Sequence, residues 1–122
     1  MATDVTPLVS RISVVFLYVR DLERSLAFYR DVLGIPFEVE DGWAEARLGD
    51  VRFALHVVHE GMDELSSGTV RIDFGVDDAG AAAGRVRAAG YEVREIVRDS
   101  WGTAVGVVDP DGYFIQLYQP PA

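Results

Sequence analysis

The feature that most limits what this chain can fold into is that it repeats itself. Val19-Arg20-Asp21 is matched by Val76-Asp77-Asp78, Gly34 by Gly90 and Trp43 by Trp101, at offsets of 57, 56 and 58 residues. A chain of 122 residues holds two copies of such a unit and little else. One copy is too small to bury a core alone, so the two are expected to pack against one another. The drift of one residue between landmarks is the kind that small insertions in loops produce.

Within each copy the order of elements can be read. Residues 12–19, ISVVFLYV, are β-branched and aromatic and predict a buried strand. Asp21 then caps a helix whose Leu22, Leu26, Tyr29 and Leu33 recur at helical spacing, and Gly34 before Ile35-Pro36 ends it. Strands are predicted near 36–40, 43–48 and 51–58, the last two joined at Gly49-Asp50. The polar, glycine-bracketed stretch 59–68 reads as a connection. After it the plan restarts: a strand at 70–78, a cap at Asp78, and a helix with Ala79, Ala82, Ala83 and Val86 ending at Gly90. Strands follow near 91–98, 101–108 and 113–119, with Asp109-Pro110-Asp111-Gly112 as the final turn. The expectation is an α+β chain forming one domain over 1–122. It comprises two βαβββ modules, about 10–58 and 69–120, joined by the linker 59–68.

Composition narrows the chemistry. There is no cysteine, which excludes disulfides, thiolate metal sites and a cysteine nucleophile, and agrees with a reducing, cytoplasmic home. No apolar run approaches the roughly 20 residues that cross a bilayer, and the first residues lack the pattern of a secretory signal. A formal charge of −9 repels phosphate backbones and anionic lipid, so neither nucleic acid nor membrane is expected as a partner.

Strand alternation sorts the candidate site residues. In the strand at 70–78, Ile72, Phe74 and Val76 form an apolar face for the helix, which leaves Arg71, Asp73 and Gly75 on the opposite, concave face. By the repeat, Arg71 occupies the place of Val14, and Phe16 and Tyr18 lie on the same side as Val14. The final strands add His56 and, from the second copy, Phe114, Gln116 and Tyr118, with Trp43 or Trp101 at the walls. A small-molecule ligand is therefore the expected partner, in a mostly aromatic cavity with a few convergent polar groups. His56 reads as a hydrogen-bonding group, a proton-transfer group or simple filling, and Arg71 with Asp73 as an ion pair or a polar ligand contact.

The stretches YVRDLERSLAFYRDVLG (18–34), VDD with a helix ending RAAGYEV (85–93), and DPDGYFIQLYQP (109–120) resemble the vicinal oxygen chelate superfamily. That superfamily includes glyoxalase I, extradiol dioxygenases and bleomycin-resistance binding proteins. The resemblance implies paired, curved mixed sheets around a shared cavity, and a homodimer with cavities lying across it. In metal-using members the ligands occupy four positions that map here onto Val14, Arg71, His56 and Gln116. Valine has no donor and arginine is a fixed cation, so the resemblance implies no metal and no cofactor. The leading expectation is accordingly a metal-free protein of the bleomycin-resistance type that sequesters an aromatic or cationic natural product. The alternative is an isomerase or lyase of the same superfamily, metal-free or metal-dependent, with His56 or Asp73 as base and Arg71 stabilising an enolate.

Overall fold

The computed structural model describes residues 14–58 and 72–122, and in them the sequence repeat is a structural repeat. The first module runs β1 (Val15–Val19), α1 (Leu22–Leu26) with a π-helical continuation (Ala27–Val32), β2 (Glu38–Glu40), β3 (Trp43–Leu48) and β4 (Val51–Val57). The second runs β5 (Ile72–Gly75), α2 (Ala79–Ala88), β6 (Val93–Asp99), β7 (Gly102–Val108) and β8 (Phe114–Gln119). Each module folds into a four-stranded mixed sheet, in the orders β1-β4-β3-β2 and β5-β8-β7-β6. The first and last strands of each module pair in parallel and the others antiparallel. This is the expected α+β architecture of two βαβββ modules. Arg71 and the 59–68 connection lie outside the described residues.

Both helices start where their caps predict. Asp21 accepts from the Arg24 amide at 3.2 Å and Asp78 from the Ala81 amide at 3.0 Å, each satisfying one orphan donor of a first turn. The first drift in the repeat has a different origin from the loop insertions expected. Between cap and terminal glycine the first helix holds one residue more than the second. It is absorbed in the π-helical segment, where the Leu33 amide donates to Phe28 five residues back at 3.0 Å. The wider turn helps place two successive rings, Phe28 and Tyr29, fully inside the core.

Leu17, Val19, Phe53 and Leu55 point from the first sheet toward its helix. Ile115, Leu117, Val105 and Val107 do the same in the second, and all belong to one apolar cluster. The modules join through these helix-side faces. Phe53 meets Phe74 edge-on at 5.1 Å, Tyr29 lies 6.3 Å from Phe74, and Phe28 sits 4.9 Å from Tyr91.

A polar latch crosses the same boundary. The turn between β7 and β8 carries Asp109 and Asp111, both buried. Asp109 accepts from the Tyr29 hydroxyl at 2.7 Å and from the backbone amides of Asp111 and Tyr113, both at 2.8 Å. Asp111 faces Arg20 at 3.3 Å and Arg24 at 3.4 Å, and Arg24 also donates to the Pro110 carbonyl at 2.7 Å. The Tyr113 hydroxyl donates to the Tyr18 carbonyl at 3.0 Å. One short turn of the second module thus holds β1, α1 and the π-helical segment of the first, and the candidate site depends on where β1 lies.

Candidate functional site

Sheet register builds the first half of the site. Parallel pairing sets Phe16 beside Ala54 and Tyr18 beside His56, and antiparallel pairing sets Trp43 opposite His56 and Glu45 opposite Ala54. Because these positions alternate with the buried Leu17, Val19, Phe53 and Leu55, their side chains share the face turned away from α1. Four rings gather there. His56 lies 5.4 Å from Tyr18, 5.4 Å from Trp43 and 6.0 Å from Phe16, while Phe16 lies 5.3 Å from Tyr18 and 5.5 Å from Trp43. Phe16 remains 39% exposed, so the face is open along β1.

The histidine is oriented by its own strand. Its Nδ1 stands 2.7 Å from the Val57 carbonyl oxygen. A carbonyl only accepts, so Nδ1 carries a proton and the bond fixes the plane of the ring.

Beside the rings lies a polar group that the sequence reading overlooked. Glu45 accepts from the Trp43 indole N–H at 3.0 Å and from Arg52 Nε at 2.7 Å, with a second bond from the Arg52 guanidinium. The signal was present, since Glu45 and Arg52 alternate in phase with Trp43 and His56. The Arg52 hydrogen bonds, seconded by Trp43, pull the Glu45 carboxyl down to about 2. Its stabilising contribution is complete above the ordinary value of 4.5 and is lost as pH falls through about 2. Replacing Arg52 by glutamine is expected to move the Glu45 titration back toward 4.5, followed by its carboxyl carbon resonance, and to shift the Trp43 indole proton in step. An unmoved titration would show that Arg52 does not hold Glu45 in solution.

The second sheet presents the equivalent face differently. Asp73 pairs with Gln116 and Gly75 with Tyr118, while Gly106 and Ala104 flank those two on β7. Phe114 lies over Gly106, where an added Cβ would come within 2.6 Å of its ring. Trp101 stacks on Tyr118 at 6.2 Å, and the Tyr118 hydroxyl donates to the Trp101 carbonyl at 2.6 Å. Trp101 precedes β7 and is 44% exposed, whereas Trp43 is the first residue of β3, so the two tryptophans are not equivalent.

The expected residues therefore assemble in groups: Phe16, Tyr18, Trp43 and His56 on one sheet, and Asp73 with Gln116, Tyr118 with Trp101, and Phe114 on the other. A cavity of about 750 Å³ lies instead between the helix-side faces, and of the expected lining it includes Asp73. Register also reassigns one correspondence. Phe16 and Asp73 are repeat equivalents, so Gln116 is matched by Ala54, and His56 by Tyr118. The last-strand pair is then either Ala54 with Gln116 or His56 with Tyr118, beside Val14, with Arg71 outside the described residues, so either set holds a valine and at most two neutral donors among the described positions. That donor set does not fit a divalent ion. Among the described residues no three His, Cys, Asp or Glu side chains group to hold one.

Comparison with known proteins places this geometry. The model of the Glyoxalase/Bleomycin resistance protein/Dioxygenase superfamily matches residues 11–117. A lactoylglutathione lyase from Haemophilus influenzae is 37% identical, covering 84% of this chain and 87% of its own length. One from Neisseria meningitidis is 38% identical, covering 84% and 86%. An antibiotic binding protein from Streptomyces sp. CB03234 superposes with a TM-score of 0.75 at 23% identity, over 95% of this chain and 100% of its own. At that identity the likeness concerns the fold alone. The expectation of a metal-free binding protein is corrected by the lyase relatives, which favour the enzyme alternative. Missing metal donors limit which chemistry is possible, and were read too far as an absence of chemistry.

Proposed function

The chain belongs to the glyoxalase, bleomycin resistance protein and dioxygenase superfamily, and from that premise we propose that it is a lyase-type enzyme acting on an α-hydroxy thioester or the corresponding adduct of a thiol with a 2-oxoaldehyde. The observation that carries this reading is the name lactoylglutathione lyase on relatives 35–38% identical over 84–89% of the chain. His56 takes the proton from the carbon bearing the hydroxyl, leaving an enediolate, and returns it to the neighbouring carbon, while the hydroxyl proton passes to the former carbonyl oxygen, so that carbonyl and hydroxyl exchange places. No electron is gained or lost overall. The Val57 carbonyl supports this role by holding the ring in one orientation through Nδ1–H. Phe16, Tyr18 and Trp43 supply an apolar floor that excludes water, and Arg71 is the candidate partner for the enediolate. Asp73, exposed on the other sheet, is the second candidate base.

No step is routed through a metal, because the residues at the ligand positions do not suit one. The open face bearing Phe16 supports a homodimer, in which a second copy covers the rings and brings the other sheet's open face to them. The remaining elements of the proposal are a single domain over 1–122, a small-molecule substrate, no nucleic-acid or membrane partner and a cytoplasmic location. No helix among the described residues is long and apolar enough to cross a membrane.

The test is turnover of the methylglyoxal–glutathione adduct by chelator-treated protein, followed through the thioester absorbance. His56→Ala is expected to lower kcat/KM by about 10²-fold or more, while Asp73→Ala changes it little. Equal turnover in His56→Ala and parent would remove the histidine from the mechanism. Turnover that appears only with an added divalent ion would overturn the metal-independent route. Sedimentation as a strict monomer would remove the dimer.

A further inference from the structure

We infer that the 750 Å³ hollow between the modules is a second binding site, for an amphipathic monocarboxylate with a hydrocarbon tail. It is separate from the ring cluster. Leu33, Ile35, Phe53, Phe74 and Ala82 line it, and Phe53 points to the opposite face of the first sheet from Ala54 and His56.

The hollow follows from an asymmetry in the repeat. The first helix fills its side of the boundary with Leu22, Leu26, Phe28 and Tyr29, the last three fully buried. The second offers Ala79, Ala82, Ala83 and Val86. Alanines leave room that leucines and rings would occupy. The hollow is about half open to solvent, mostly apolar in its lining and within the size range of small-molecule pockets, roughly 300–1,000 Å³.

Charge selects the ligand class. By either repeat offset the first helix places a fully buried ring, Phe28 or Tyr29, where the second places Arg85, and Arg85 borders the hollow. Arg85 donates only a long bond of 3.4 Å, to the Asp31 carbonyl, and the Asp31 carboxylate is occupied by Arg30 Nε at 2.8 Å. Among the described residues Arg85 has no ion-pair partner. Asp73 also borders the hollow, but strand alternation turns its carboxylate away from Ile72 and Phe74. A guanidinium at the edge of an apolar space suits a carboxylate head on a hydrocarbon tail.

Decanoate and decanol, titrated separately into the full-length protein and followed by methyl NMR, test this. Decanoate is expected to saturate, shifting the Leu33, Ile35 and Ile72 methyls while leaving the His56 ring protons in place. Arg85→Gln, an exposed change, should weaken decanoate about tenfold and leave decanol unchanged. Ala82→Phe should abolish binding without lowering the melting temperature. Three results would overturn the site: no saturation at millimolar decanoate, equal affinity for decanoate and decanol that ignores Arg85→Gln, or methyl contacts showing another segment of the chain or a second copy already filling the hollow. Because its signals lie away from His56, the outcome is independent of whether the ring cluster is catalytic.

Discussion

Asp109→Ala is expected to lower the unfolding free energy by about 3–5 kcal/mol, measured by urea denaturation of parent and variant. The carboxylate is 4% exposed and takes three hydrogen bonds, from the Tyr29 hydroxyl and from the amides of Asp111 and Tyr113. Alanine leaves all three donors buried and unpaired, and loosens the turn that presents Asp111 to Arg20 and Arg24. Asp109→Asn keeps an acceptor for the two amides and should cost less, about 1–2 kcal/mol. The pH dependence has a definite sign. Burial pushes the Asp109 carboxyl above its ordinary 3.8, outweighing the bonds that favour the charged form. The folded state then holds this proton more tightly than the unfolded state. Its contribution is complete below 3.8 and declines as pH rises through the raised value, so the gap between parent and Asp109→Asn should narrow from acid toward neutral pH. A gap that widened with pH would mean that the hydrogen bonds outweigh burial after all.

Gly102→Ala is expected to destabilise by about 3 kcal/mol or more, or to prevent folding outright. Gly102 has φ of 128°, and an added Cβ would lie 2.3 Å from the Gln119 carbonyl oxygen and 3.2 Å from the Pro120 Cα. Those neighbours are backbone, so no rotamer change relieves the clash. Gly90 is the control: its φ of 90° is also left-handed, yet nothing lies within 4 Å of its Cβ position. Gly90→Ala should therefore cost only the conformational penalty, about 1 kcal/mol. Equal melting midpoints for the two variants would show that the β7–β8 edge yields more easily than its close approach implies. Because Tyr118 packs beside Gly102 and hydrogen-bonds Trp101, Gly102→Ala should also change Trp101 fluorescence.

Which side chains share a face of each strand was legible, because a strand has only two faces. Alternation puts Phe16 and Tyr18 on one face of β1, and the register with β4 and β3 gathers them with Trp43 around His56. Alternation does not say which residue of a neighbouring strand lies opposite, and for that reason His56 was paired with Gln116 when register equates it with Tyr118. The enzyme reading was outranked for a related reason. A valine and an arginine at ligand positions limit which chemistry is possible, but they do not distinguish a binding protein from an enzyme, and it is the lyase relatives that favour the enzyme alternative.

From the sequence alone came the duplicated βαβββ plan, the caps at Asp21 and Asp78, the DPDG turn and the division of each strand into two faces. These depend on neighbours a few residues apart, and hydrophobic period and turn chemistry record them directly. Only the tertiary structure decided that Asp109 and Asp111 hold the other module's helix, that Arg52 and Trp43 share Glu45, and that an alanine-rich helix leaves a hollow beside Arg85. Each of these joins residues that local pattern cannot pair, because contact across sheets and modules is set by register and by how two helix-side faces pack.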